Sequence, residues 1–196
     1  MARPGLTEGE TRDLIVEKAE ALFHKHGYKK ATVADIAKAC GFSSANVHRV
    51  FGTKSAINEE IASRLLGAFL EDAKRATRSN AGASARFSAF VTRLHDQTVA
   101  TFVERPEMHE MCVAALEEDW GAVKAYRLAV IDTINIIVDE GVASGEFVIA
   151  DTAQAAKGAM MALHRLLHPL VAAELRKHAD EGAPADLISL ILRSFK

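Results

Sequence analysis

Apolar residues recur every three or four positions along most of the chain, a spacing that places them on one face of an α-helix. Segment 120–142 is apolar on more than one face, which is typical of a helix at the centre of a core. The pattern predicts an all-α fold of about nine helices. Their approximate bounds are 7–26, 32–40, 43–51, 55–79, 85–104, 106–119, 120–142, 152–177 and 184–195, with Asp151 as a cap and Pro169 as a kink in the eighth helix.

Segment 32–54 predicts two short helices joined by a tight turn. Thr32 can accept a hydrogen bond from a free backbone N–H and so start the first helix. Gly41 tolerates the positive φ that ends it, and Ser43 or Ser44 can cap the second helix. Each helix then carries an apolar stripe: Val33, Ile36, Ala37 and Cys40 in the first, and Val47, Val50 and Phe51 in the second. This layout is that of a helix-turn-helix.

Small and hydrogen-bonding residues occupy the other positions of the second helix, where they can approach base edges: Ser44, Ala45, Asn46, His48 and Arg49. An arginine can pair with O6 and N7 of guanine, and an asparagine can pair with N6 and N7 of adenine. We therefore predict that this helix enters the major groove of double-stranded DNA.

The same segment resembles the N-terminal domain of the TetR family of transcriptional repressors. The family pattern is Thr-x-x-x-Ile-Ala-x-x-x-Gly-apolar-Ser, followed by an aromatic-rich recognition helix and then Phe-x-x-Lys. Eight residues fit it in register: Thr32, Ile36, Ala37, Gly41, Phe42, Ser43, Phe51 and Lys54. Two positions depart from it, because the family usually has aromatic residues where His48 and Val50 stand.

The resemblance implies a repressor that binds operator DNA as a homodimer. Residues 1–54 would form a three-helix DNA-binding domain, and residues 55–196 a helical domain for effector binding and dimerisation. In the family, a ligand in the second domain moves the helix after the recognition helix, here 55–79, and changes the separation of the two DNA-binding domains. The last two helices, 152–177 and 184–195, are the implied dimer interface, as a two-fold operator requires a two-fold protein.

Charge is unevenly distributed along the chain. Residues 1–54 have a net charge of +3 and the remainder −5, although the whole chain carries only −2. A small basic segment therefore precedes an acidic one, and a few residues must neutralise the phosphates, so that binding weakens with salt. The candidates for phosphate contact are Lys29, Lys30, Thr32, Ser43, Thr53 and Lys54.

Length and composition favour a cytoplasmic protein. The 196 residues are 49% hydrophobic, but no apolar run approaches the ~20 residues of a membrane span. The N-terminus is polar and charged, unlike a secretory signal. Cys40 and Cys112 are isolated, so neither a disulfide framework nor a zinc finger is indicated, and a reducing compartment fits.

Aromatic, sulfur-bearing and imidazole side chains are spread over the helices of the second domain and could enclose a cavity. The candidates for effector contact are His95, Phe102, Met108, Met111, Cys112, Trp120, Tyr126, Met160 and His164. Each of them alone is more often an ordinary core residue. As a set they favour a small, mostly apolar or aromatic effector.

A metal- or thiol-responsive regulator is the alternative. His164 and His168 are four residues apart on a helix, and His95 or His109 with Glu110 could complete a metal site. A histidine pair without a further motif is more often two polar residues, so we predict no metal and no cofactor. We expect no enzyme either, because the sequence shows no Ser-His-Asp order, paired-carboxylate pocket or glycine-rich phosphate loop. An enzyme or interaction module that kept the helix-turn-helix as a relic is a third class.

Overall fold

The computed structural model describes residues 5–79, 81–175 and 184–196, and within these ranges every regular element is a helix. The predicted all-α fold is confirmed. A five-residue π-helical turn, Val99–Val103, follows the fifth α-helix. The ten α-helices of the described residues are α1 (Glu8–His26), α2 (Val33–Cys40), α3 (Ser44–Phe51), α4 (Lys54–Ala76), α5 (Ala83–Thr98), α6 (Pro106–Glu117), α7 (Gly121–Ala143), α8 (Thr152–Leu167), α9 (Pro169–Leu175) and α10 (Pro184–Ser194).

The predicted eighth helix, 152–177, is two helices in the structure. α8 ends at Leu167 and α9 begins at Pro169, so the predicted kink is a complete break. Pro169 has no N–H with which to continue the hydrogen bonds of α8, and its ring disfavours helical backbone at the residue before it. His168 accordingly is extended, with φ −86° and ψ 118°. Residues 176 and 177 of the predicted helix lie outside the described ranges.

Helix starts follow local sequence signals. Thr32, Ser43 and Asp151 each accept the N–H of the residue three positions later, as expected of N-caps. Of the two candidates for the α3 cap, Ser43 is the one used. Gly27 ends α1 with a positive φ of 82°. These short-range hydrogen bonds explain why the boundaries of the first three helices are predictable from sequence.

The described chain divides into two compact units. The first contains the chain up to Leu65 together with Arg105–Val123, and the second contains Leu66–Glu104 and Lys124–Lys196. The division falls within α4 and within α7, so each of these helices contributes residues to both units. The first unit therefore comprises α1 to α3, the first half of α4, α6 and the start of α7.

The core of the first unit brings α1, α2, α3 and α4 together. Five of its described apolar side chains are completely buried: Ile15, Ala19, Ile36, Val47 and Ile57. Tyr28, just after α1, packs edge-on against Phe23 with ring centres 5.7 Å apart. Packing of one apolar face from each helix holds the short helices α2 and α3, which would be too short to be stable alone.

The core of the second unit is built around α5 and α7. Phe87 and Phe90 of α5 and Ile134 of α7 are completely buried. Phe195, after α10, packs edge-on against Phe87 and Phe147, with ring centres 5.7 and 5.3 Å apart. These contacts join the C-terminal end of the described chain to the middle of the unit.

The start of α5 depends on a side chain far away in sequence. Glu146 accepts the backbone N–H groups of Ala83 and Ser84 at 2.6 and 2.9 Å. These N–H groups belong to the first turn, which has no partner within the helix. The cap places the beginning of α5 at Ala83, two residues before the predicted start.

The longest helices, α4 and α7, have 23 residues each. Both carry charged side chains along their length. Among the described helices, none combines enough length with enough apolar character to cross a membrane.

Candidate nucleic-acid interface

A tight turn of Gly41, Phe42 and Ser43 joins α2 to α3. Gly41 is left-handed, with φ 71° and ψ 29°, a conformation that glycine adopts without steric penalty. The N–H of Phe42 then donates to the carbonyl oxygen of Ala37 at 2.8 Å, and the Phe42 side chain is buried. The turn is anchored by both a backbone hydrogen bond and an apolar contact, which fixes the direction in which α3 begins.

α3 buries one face and exposes the other. Val47 is completely buried and Phe51 is 8% exposed, so both belong to the core of the first unit. Asn46 is half-buried. The remaining predicted base-contacting residues are exposed: Ser44, Ala45, His48 and Arg49. The predicted recognition face is therefore an accessible helix surface.

Two hydrogen bonds order the polar side chains of α3. Arg49 donates from Nη2 to Oδ1 of Asn46 at 3.1 Å, which links the two predicted base-reading residues. His48 Nδ1 lies 2.7 Å from the carbonyl oxygen of Gly52. Because a carbonyl oxygen can only accept, Nδ1 carries the hydrogen and Nε2 faces away from this contact. Neutral His48 thus presents an acceptor at Nε2, and protonated His48 a donor.

The hydroxyl of Thr32 is engaged at the start of α2. It accepts the N–H of Asp35 at 3.2 Å and donates to Oδ2 of Asp35 at 2.6 Å. The same carboxylate accepts the N–H of Thr32 at 3.0 Å, which completes a capping box. These hydrogen bonds hold the pKa of Asp35 below its usual range. Since a hydroxyl has a single hydrogen, Thr32 must release Asp35 before it can donate to a phosphate oxygen.

Ser43 and Thr53 differ from Thr32 in this respect. The Ser43 hydroxyl accepts the N–H of Asn46 at 3.2 Å, and the Thr53 hydroxyl accepts the N–H of Ala56 at 3.1 Å. Both side chains are exposed. Neither hydroxyl hydrogen is donated to another group of the described chain, so either can be donated to phosphate.

Lys54, the first residue of α4, turns its ammonium group towards the end of α1. Its Nζ donates to the carbonyl oxygen of Tyr28 at 2.5 Å and lies 4.2 Å from the centre of the Tyr28 ring. Burial lowers the pKa of Lys54, while the negative charges of Glu118 and Glu110 oppose that shift. An ammonium group has three N–H donors, so a phosphate contact would use one of the other two.

The predicted effector-binding residues are divided between the two units. Met108, Met111, Cys112 and Trp120 belong to the first unit, and all but the half-buried Cys112 are buried. The members in the second unit are His95, Phe102, Tyr126, Met160 and His164. Of this second group Phe102 is buried and His164 is exposed, and the other three are half-buried. A cleft of about 570 Å³ beside α2 involves none of them; it is lined by Leu22, His26, Lys30, Ala31, Asp35, Lys38 and Ala39.

The two histidines of the metal hypothesis are neighbours. The rings of His164 and His168 have centres 4.6 Å apart. His95 uses Nδ1 to donate to the carbonyl oxygen of Leu166 at 3.0 Å. No group of three or more His, Cys, Asp or Glu side chains suited to a metal ion occurs in the described part of the chain, from which the His109 side chain is excluded. The described residues therefore offer the pair alone.

The cysteines offer little reactivity. Burial raises the pKa of the Cys112 thiol to about 11, so only about one molecule in 10⁴ carries the reactive thiolate at pH 7. Cys40 is buried in the first unit, with its sulfur 3.8 Å from the carbonyl oxygen of Leu14. Burial of Cys40 and partial burial of Cys112 limit the accessibility that a thiol sensor needs.

Two family models match the chain. Residues 15–61 match the model described as bacterial regulatory proteins of the tetR family. Residues 83–188, more than half of the chain, match the model described as the tetracyclin repressor-like C-terminal domain. The chain belongs to the TetR family. It is a transcriptional regulator with a helix-turn-helix DNA-binding domain, in a family of regulators rather than enzymes.

Solved structures share this TetR-family fold. A protein described as a transcriptional regulator of Pseudomonas aeruginosa PAO1 has a TM-score of 0.67 at 17% identity, over 98% of this chain and 97% of its own. RolR in complex with resorcinol has a TM-score of 0.67 at 13% identity, over 96% of this chain and 88% of its own. The SmeT–triclosan complex has a TM-score of 0.64 at 18% identity, over 94% of this chain and 90% of its own. No curated protein matches the chain.

The structure of this TetR-family chain assigns contacts to residues that the sequence analysis left without a role. Asp35 completes the capping box, and the Thr-x-x-Asp spacing is a signal that could have revealed it. Arg12 of α1 lies 4.2 Å from the centre of the Phe51 ring and donates to Glu60 of α4 at 2.9 Å. Glu118 accepts hydrogen bonds from two distant residues, Tyr28 and Ser55, and from Trp120 in the same turn. No local spacing indicates the partners of Arg12 or the distant partners of Glu118.

Proposed function

We propose that this protein is a ligand-responsive repressor that binds operator DNA as a homodimer and is released by a small aromatic or apolar effector. Residues 1–54 act as the DNA-binding domain, and residues 55–196 as the domain for effector and dimer contacts. The observation that carries the proposal is the exposed face of α3, where the linked Asn46 and Arg49 have the donors and acceptors that base edges require.

Contacts with DNA divide into two kinds. Arg49 and Asn46 contact bases, with Ser44, Ala45 and His48 beside them on the helix. Ser43 and Thr53 donate their hydroxyl hydrogens to phosphates, which positions α3 in the groove. Lys54, which is hydrogen-bonded to the Tyr28 carbonyl oxygen, adds positive charge that attracts the phosphates.

Homodimerisation is supported by exposed apolar surface on the last long helices. Met161 of α8 is 79% exposed and Leu190 of α10 is 56% exposed. Neither side chain therefore packs into the core of its own chain. Gly158 is exposed three residues before Met161, and the exposed Ala162 lies four residues after Gly158, so Gly158 neighbours both residues on the surface of α8. Small residues beside a large apolar one let a second helix approach closely, and a second copy of the chain supplies it.

The proposed effector class is supported by two structures of the same fold. RolR was solved with resorcinol and SmeT with triclosan, and both compounds are phenols. The half-buried Tyr126 and Met160 and the buried Phe102 of the second unit suit an aromatic ring of this kind.

The test is DNA binding by Arg49→Ala. The probe is the duplex that the wild-type protein selects from a random-sequence library, and affinity is measured by fluorescence anisotropy against a scrambled duplex. Removing a bidentate base contact should weaken binding about tenfold or more and reduce discrimination between the two duplexes. The matched control is Arg127→Ala, an exposed arginine on α7, which should bind as the wild type does.

Unchanged affinity and discrimination in Arg49→Ala would refute the role of Arg49. An equal loss on both duplexes would move Arg49 to the phosphate contacts. Adding resorcinol or triclosan to the wild-type complex tests release by a phenol, and release by Zn²⁺ alone would instead favour the metal-responsive alternative.

A further inference from the structure

Glu118, in the turn between α6 and α7, is the centre of a hydrogen-bonded cluster within the first unit. Its carboxylate accepts hydrogen bonds from the Ser55 hydroxyl, from Nε1 of Trp120 at 3.0 Å and from the Tyr28 hydroxyl at 3.5 Å. Lys54 is close enough for its positive charge to stabilise the carboxylate. We call these five residues the Glu118 cluster.

The Glu118 cluster joins three segments that are distant in sequence. Tyr28 follows α1, Lys54 and Ser55 begin α4, and Trp120 precedes α7. Tyr28 and Trp120 are 8% and 3% exposed, so two of the three donors are held in place by packing. Lys54 also donates a hydrogen bond to the Tyr28 carbonyl oxygen, which directly links the start of α4 to the residue after α1.

The cluster lies a short covalent distance from the recognition helix. Only Gly52 and Thr53 separate α3 from α4, and Ser55 is the second residue of α4. A carboxylate that holds Ser55 therefore restrains the position at which α3 ends. Glu118 does this without lying on α3 or on its exposed face.

Protonation states at neutral pH suit these contacts. The Ser55 and Trp120 hydrogen bonds keep the pKa of Glu118 below its usual range, so the carboxylate is ionised. Burial, followed by the charge of Glu118, raises the pKa of Tyr28, so the phenol keeps its hydrogen. Charge-assisted hydrogen bonds to a carboxylate are stronger than those between neutral groups.

The backbone next to Glu118 is unusual. Asp119 has a φ of 49°, the only positive φ at a non-glycine residue in the described chain. A non-glycine residue in this region is uncommon, and such residues persist where the surrounding contacts hold them. The turn thus has a constrained conformation next to the Glu118 carboxylate, which accepts the hydrogen bond from Ser55 of α4.

We propose that Glu118 is a positioning residue for DNA recognition, which couples the turn between α6 and α7 to the DNA-binding position of α3. The inference rests on the proposed function, because it concerns how that DNA-binding surface is held. Coupling between two sites is reciprocal, so DNA bound to α3 must also change the environment of the Glu118 cluster.

Trp120 makes this reciprocity measurable. It is the single tryptophan of the chain, and its indole N–H donates to Glu118. The intrinsic fluorescence of the protein therefore reports on the Glu118 cluster directly. DNA bound at α3 does not contact Trp120 in the proposed arrangement, so a DNA-dependent change in its emission measures coupling.

The experiment compares the wild-type protein, Glu118→Gln and the control Glu117→Gln, an exposed neighbour at the end of α6. Each is titrated with the duplex selected by the wild-type protein, and both anisotropy and tryptophan emission are recorded. Glu118→Gln removes the charge at constant size and should weaken binding about fivefold, the effect of losing roughly one hydrogen bond. It should also lose most of the DNA-dependent change in emission, whereas Glu117→Gln should retain both.

Wild-type affinity together with a wild-type emission change in Glu118→Gln would overturn the inference while leaving the proposed function intact. Absence of any selected duplex for the wild-type protein would overturn both. If Glu118→Gln does not fold, Ser55→Ala removes one donor of the cluster and leaves the carboxylate and Trp120 in place. Ser55→Ala should then weaken binding and reduce the emission change, and its failure to do either would count against the inference.

Discussion

Asn58 of α4 is the least satisfied polar side chain in the first unit. The residue is completely buried, and neither Oδ1 nor Nδ2 has a partner with full hydrogen-bond geometry among the described residues, although the amide lies close enough to the Tyr28 hydroxyl to act on its pKa, lowering it against the larger effect of burial. A buried amide without partners loses its hydrogen bonds to water on folding, at a cost of about 1–3 kcal/mol per unsatisfied group. This residue therefore reduces the stability of the helix that follows the recognition helix.

At the residue scale, Asn58→Leu should increase the free energy of unfolding by about 1 kcal/mol, because leucine has the same number of heavy atoms and no polar group to satisfy. Urea denaturation followed by circular dichroism measures the change. The matched control is Asn135→Leu, which removes an unpaired Oδ1 but also a hydrogen bond from Nδ2 to Asp139, and should give no net gain. Lower stability in Asn58→Leu would mean that the amide is hydrogen-bonded in solution.

At the element scale, α2 illustrates how a short helix is held at its first turn. It has eight residues, and both orphan N–H groups of the capping box are satisfied by Thr32 and Asp35. The pKa of Asp35 lies below its usual range, chiefly because of the hydrogen bond from the Thr32 side chain. A carboxyl whose pKa is lower in the folded state stabilises the fold above its unfolded pKa, and loses that contribution as the pH falls through the folded pKa.

Asp35→Asn should therefore lower stability at neutral pH and make stability less dependent on pH below about 4. The free energy of unfolding is measured by urea denaturation at a series of pH values between neutrality and the acid limit. Thr32→Val removes the hydroxyl that bonds to Asp35. It should likewise make the free energy of unfolding less dependent on pH in the acid range. If the free energy of unfolding of Asp35→Asn changed with acid pH as it does in the wild type, another carboxyl would be responsible for that pH dependence.

At the scale of the whole molecule, the proposed homodimer depends on apolar surface that one chain leaves exposed. Met161 and Leu190 lie on α8 and α10, within the two helical segments that the resemblance implies as the dimer interface. Single exposed apolar residues are common on proteins, so exposure alone does not distinguish an interface. Ile136 of α7, also 56% exposed, provides a comparison outside α8 and α10.

Met161→Glu and Leu190→Glu should each convert the proposed dimer to a monomer, because the dimer would place the new charge against apolar surface without a partner. Light scattering coupled to size-exclusion chromatography measures the mass. Ile136→Glu should remain dimeric. The monomeric variants should also bind the selected duplex far more weakly, since two half-sites are no longer occupied together. A dimer that survives both substitutions would place the interface elsewhere.

The helix-turn-helix was the most predictable part of the structure. Thr32 and Gly41 were predicted in the roles that they have, as an N-cap and a left-handed turn, and Ser43 was one of two candidates for the second N-cap. Each role depends on hydrogen bonds or dihedral angles within four residues of the chain, which sequence spacing specifies. The roles of Asn46, His48, Arg49 and the other candidate residues in binding DNA stay predictions.

Other features were not predictable, because they depend on how distant segments pack. Lys54 was predicted to face the DNA backbone, yet its ammonium group also binds the carbonyl oxygen of Tyr28, 26 residues earlier. The first turn of α5 is capped by Glu146, which is more than 60 residues away. No spacing rule connects such pairs.

By itself, the sequence determined the all-α class, the family, and the start and end of the helix-turn-helix, since local hydrogen bonds and apolar periodicity encode them. Only the tertiary structure decided which polar group Lys54 contacts first, which carboxylate holds the start of α4, and which core amide is unpaired. The physical reason is that a hydrogen bond needs its donor and acceptor within about 3 Å, and for residues far apart in the chain that distance is set by the packing of the whole core.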